Sequence, residues 1–157
     1  MVWRWVIGVC ALLAGAQLGG CQLGRPPVSS FSPGPVEAAA VEPGLPDALR
    51  QSLGAALSRR GALAARGTPV KLVVLSAQNR TLAPGADRQV HEVALAVQVV
   101  AAGPSPREVV LRGARSYTIP TTGPRDAAQA RAAATVALCE ELMDDAVEWL
   151  LFAPEVR

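Results

Sequence analysis

Residues 124–152, PRDAAQARAAATVALCEELMDDAVEWLLF, contain no glycine and, after Pro124, no second proline. Ala128, Ala132, Val136, Cys139, Met143, Val147 and Leu150 recur at spacings of three and four, which predicts one long helix with a single apolar stripe. Such a stripe gains little until another surface covers it, so it dictates that the rest of the chain supply that surface. The other side carries Glu140, Glu141, Asp144, Asp145 and Glu148. These read as a solvated face, with Glu141 and Asp145 as one i, i+4 pair of carboxylates and no histidine nearby to suggest a metal site.

The surface is predicted to be a sheet. VKLVVLS (70–76) is β-branched and apolar on both faces, as a strand near a sheet centre is. RQVHEVALAVQVVA (88–101) alternates, with Val93, Leu95, Val97 and Val99 on one face and Glu92, Ala94, Ala96 and Gln98 on the other. AGPSP is a turn by composition, and REVVLRGARSYTIP (107–120) returns as a third long strand, so the last two form an antiparallel hairpin.

A shorter helix precedes these strands. In PGLPDALRQSLGAALSRRG, Leu45, Leu49, Leu53 and Leu57 recur every four residues, Pro46 and Asp47 suit a helix start, and Arg59, Arg60 and Gly61 suit its end. Before it, VEAAAV (36–41) reads as a short first or edge strand. The order strand, helix, strand, strand, strand, helix predicts an α+β fold: a four-stranded, mostly antiparallel sheet with both helices packed on one face.

The amino-terminal part follows a different logic. Met1 to Gly20 has Arg4 near its start, an uncharged apolar middle and a small-residue exit, the layout of a secretory signal. The competing reading, a retained anchor helix, is weakened by Gln17 and the glycines, since a spanning helix needs about 20 apolar residues. Leu18, Gly19, Gly20 and Cys21 resemble the bacterial lipobox, which implies cleavage before Cys21 and lipid attachment to it. The organisation expected is a signal over 1–20, a Pro-, Ser- and Gly-rich flexible tether over 21–35, a domain over 36–152 and a tail over 153–157.

Composition limits the functions open to that domain. A formal net charge of +2 does not suit a dedicated nucleic-acid binder. With Cys21 acylated and Cys10 removed, Cys139 has no disulfide partner. His91 is the sole histidine and reads as structural, Cys139 falls on the apolar stripe, and no Gly-rich phosphate loop is present. No catalytic residue, metal or cofactor is therefore assigned, and the chain reads as a non-enzyme.

The lipobox, the run EPGLPDALRQSLGAALSRRGAL, the paired strands and the closing helix together resemble the LPS-assembly lipoprotein LptE family, over nearly the whole chain beyond Cys21. EPGL (42–45), SRRG (58–61) and SYTI (116–119) stand where that family has its corresponding phrases. The resemblance implies an outer-membrane lipoprotein on the periplasmic side, plugging the LptD β-barrel and assisting lipopolysaccharide transport. The alternative is a lipid-anchored, periplasm-facing module for another envelope component. Arg107, Arg112 and Arg115 are the physical candidates for contacting an anionic glycolipid. Strict alternation separates Arg112 from Arg115, and a bulge at Gly113 is the expectation that would bring them to one side.

Overall fold

The computed structural model describes residues 29–38, 42–84, 88–103, 106–120 and 124–152. The predicted signal, Cys21, the tether up to residue 28 and the tail at 153–157 lie outside the described residues. The element order is β1 (Phe31–Ala38), α1 (Leu45–Arg59), β2 (Thr68–Pro84), β3 (Arg88–Ala101), β4 (Arg107–Pro120) and α2 (Pro124–Phe152). The four strands form one sheet in the order β1-β2-β3-β4, with β1 parallel to β2 and the other pairs antiparallel. This is the expected α+β arrangement.

α1 forms for the reasons its sequence offers. Leu45, Leu49, Leu53 and Leu57 are all buried, and each fully buried leucine contributes about 1.5–3 kcal/mol by leaving water. Its end is a Schellman turn: Gly61, at φ 65°, donates its N–H to Ser58 O, and Ala62 donates to Leu57 O. Its start is Gly44 at φ 92°, with no side-chain cap. Asp47 in the first turn pairs with Arg50 at 2.6 Å.

Both helices lie over the face that carries Val93, Leu95, Val97 and Val99, and one apolar cluster joins that face to α1 and α2. α2 comes closest over β4. A Cβ placed on Gly113 would stand 2.8 Å from a methyl of Leu138 and 3.2 Å from one of Leu142. Glycine in the strand is thus what allows the helix to approach.

Three expectations need correction. First, β1 begins at Phe31, so residues 31–35 belong to the sheet and not to the tether. Phe31 is buried, its N–H donates to Ala62 O, and its carbonyl accepts from Ala64 N–H. The prolines are accommodated because β1 is an edge strand with a bulge between Pro33 and Val36. Second, β2 continues eight residues past Ser76, to Pro84, because pairing with β3 outweighs the polar composition of AQNRTLA. Bulges between Val74 and Ser76 and between Thr81 and Ala83 place Leu75 and Leu82 outward. Third, the amino-terminal half of the α2 stripe is rotated from the predicted one: Ala134, Leu138, Leu142 and Ala146 are buried, whereas Ala128, Ala132 and Val136 are exposed. Cys139, Met143, Val147 and Leu150 are buried as expected.

Candidate functional site: the open face of the sheet

The pairing of β3 with β4 runs without a shift from Arg88↔Pro120 to Ala101↔Arg107. No bulge occurs at Gly113, so the expectation that Arg112 and Arg115 share a side is overturned. Arg107, Gly113 and Arg115 pair with Ala101, Leu95 and Val93 and therefore sit on the helix-covered face, while Arg112 pairs with Ala96 on the other.

That division separates their chemistry. Arg107 donates to the carbonyl of Leu150 at 2.9 Å, and its guanidinium lies 5.5 Å from the centre of the Trp149 ring. It therefore satisfies an orphan carbonyl at the end of α2, where a cation also complements the helix dipole. Arg115 approaches Glu141 of α2 at 3.7 Å, both side chains being about half exposed. Both arginines act between sheet and helix.

Arg112 has no ion pair among the described residues and is exposed. Around it the open face carries Ala94, Ala96, Val110 and Ala114, with Val73 and Val100 further off and the polar Gln78, Gln98 and Ser116 among them. Two other cations of this face are partnered, Lys71 with Glu37 at 2.8 Å and Arg80 with Glu92 at 2.7 Å, both on the inner strand β2. Gln98 donates to Glu108 at 3.0 Å beside Val110. Arg112 thus rises, without an ion pair among the described residues, beside alanine and valine side chains on a face that neither helix covers. That arrangement suits an amphiphile with an anionic group, the fork taking the anion and the apolar floor taking carbon.

The remaining candidates have structural settings. His91 stacks on Tyr117 with ring centres 5.5 Å apart, while its Nδ1 meets Thr81 Oγ1 and its Nε2 meets Gln89 Oε1. Tyr117 donates its hydroxyl hydrogen to Asn79 Oδ1 at 3.0 Å. Cys139 is fully buried, and burial together with the adjacent Glu140 pushes its thiol up to about 11, which disfavours the thiolate at neutral pH. In the folded state the neutral thiol is favoured, so its contribution to stability is present below pH 9 and falls away between 9 and about 11. Among the described residues no three His, Cys, Asp or Glu side chains are grouped to hold a metal. On the acidic side of α2, Asp144 pairs with Arg59 at 2.7 Å and joins the two helices, a contact that spacing alone did not reveal. The hollow beside Leu45 was likewise not foreseen; the pair Arg131–Glu42, at 2.7 Å, lines it.

No family model and no curated protein matches the sequence. Solved structures do resemble it. A minor lipoprotein from Acinetobacter baumannii superposes with a TM-score of 0.51 at 19% identity, covering 79% of this chain and 92% of that one. A hypothetical protein from Chlamydia trachomatis gives a TM-score of 0.50 at 10% identity, covering 80% of this chain and 99% of that one. The rare lipoprotein B of Shewanella oneidensis gives 0.49 at 10% identity, over 76% of this chain and 92% of that one. The first two likenesses show the fold.

Proposed function

We propose that this chain is a lipid-anchored protein of the bacterial outer membrane, held on the periplasmic side through Cys21, and that its open sheet face meets lipopolysaccharide as a partner of an LptD-type β-barrel. The observation that carries this reading is Arg112, midway along the edge strand β4 and without an ion pair among the described residues, on a sheet face the helices leave bare. Lipid A joins phosphates to acyl chains, which is the combination of an anion and apolar carbon that such a face accommodates. The lipobox-like LGGC at residues 18–21 supports the anchor, as does the shared fold with a protein described as a minor lipoprotein. A plug for a barrel needs a small domain with a tether and a shaped surface and no catalytic centre.

The test is direct binding of purified lipopolysaccharide, together with pull-down from detergent-solubilised envelopes. Arg112→Glu removes a charge-assisted contact and adds a like charge, so binding should fall by about tenfold or more, less so at high salt. Its thermal stability should be unchanged, because Arg112 is exposed and makes no ion pair among the described residues. Unchanged lipopolysaccharide binding would remove the assigned site. Absence of the barrel from every pull-down, with both proteins abundant, would leave a lipid-anchored module for another envelope component.

A further inference from the structure

The two edges of the sheet are built differently. The β1 edge is broken by Pro33, Gly34 and Pro35 and a bulge, and the segment after α1 bonds to Phe31 through Ala62 and Ala64. The β4 edge pairs without a bulge over its whole length, has no proline before Pro120, and receives no backbone bond from any loop among the described residues. An edge of that kind is a template for another strand.

We infer that β4 pairs antiparallel with β4 of a second copy, about a twofold axis through Val110, in molecules whose Arg112 holds no anionic ligand. Its sequence selects that register. In an antiparallel pair centred on residue 110, Glu108 stands opposite Arg112 of the other copy, and Arg112 opposite Glu108, with Val110 against Val110 between them. All three lie on the open face and are exposed. On the helix side the same register sets Val109 against Leu111 and Arg107 against Gly113, so no like charges are opposed between the strands. Moving the centre by one residue, to 111, instead opposes Arg107 to Arg115. Opposite charges directly across a strand pair favour it by about 0.2–1 kcal/mol each, and the symmetry supplies two such pairs. Glu108 also accepts a hydrogen bond from Gln98 of β3 at 3.0 Å.

The helix layer sets the strength. Asp145 and Glu148 lie one and two turns beyond Glu141, on the flank of α2 that meets β4, and their counterparts approach across the axis. Like charges there oppose the pairing, so the association is weak and reversible, and trapping is the appropriate measurement.

In the full chain purified in mild detergent, Val110→Cys places two thiols directly opposite, where Cα atoms of an antiparallel pair are ~4.5–5.5 Å apart, a separation a disulfide spans. Under a mild oxidant this variant should give a disulfide-linked dimer about tenfold faster than Thr118→Cys, which lies on the same face but off the axis. In the Val110→Cys background, Glu108→Arg or Arg112→Glu should each slow the trapping about tenfold, and the two together should restore it, because the exchange recreates both pairs. Val110→Cys crosslinking no faster than Thr118→Cys overturns the pairing, and failure of the double exchange to restore it overturns this register.

Discussion

Gly113 stands where a strand reading suggests a bulge, yet the strand passes through it in regular register. Its function is steric: any Cβ there would meet Leu138 at 2.8 Å, and that contact is with side-chain ends that are themselves tightly packed. Gly113→Val should therefore destabilise the domain by about 1–3 kcal/mol through overpacking, read as a lower urea midpoint with an unchanged m-value. A wild-type midpoint would mean that α2 yields freely at this point. Alternation also fixed which arginine is available. Arg107 and Arg115 were placed on one side by parity, and Arg112 on the other, and the structure retained that parity because no extra residue is inserted. The bulge invoked to unite them was permitted by glycine but required by nothing in β3.

At the level of elements, α2 is secured at its carboxyl end by Arg107 and along its length by leucine packing. Removing Arg107 leaves the Leu150 carbonyl without that donor and Trp149 without its cation, so Arg107→Ala should cost about 1–3 kcal/mol in chemical denaturation. Arg115→Ala, losing only an exposed 3.7 Å ion pair, should cost under about 0.5 kcal/mol. Equal costs for the two would refute the distinction between a bond at the helix end and a surface pair. The helices and the β3–β4 hairpin were legible because their periodicities are uninterrupted over many residues. The start of the α2 stripe was not, since an alanine-rich segment offers nearly the same small apolar side chain on every side, and only the position of α1 and β4 decides which alanines are covered. β1 was misplaced by five residues for a related reason: FSPGP has the composition of a linker, and it becomes a strand through Phe31 and the backbone bonds of the Ala62–Thr68 segment.

For the molecule as a whole, the proposed anchor and the open face work together, since a domain tethered at one end presents a free sheet face to whatever lies at the membrane. Replacing Cys21 by Ser should release the protein into the soluble fraction; continued sedimentation with membranes would show that the amino-terminal segment itself is retained. What the sequence determined by itself was the kind and order of the elements and, in α1, β3, β4 and the carboxyl-terminal half of α2, the division into covered and uncovered sides, because helical and strand periods are local properties of the backbone that side-chain polarity reports directly. What only the tertiary structure decided was where β1 pairs, how far β2 extends, which arginines are engaged by α2 and which one is left. Those outcomes depend on hydrogen bonds and contacts between segments distant in the chain, and no local pattern encodes the distance between a strand and the helix that will lie across it.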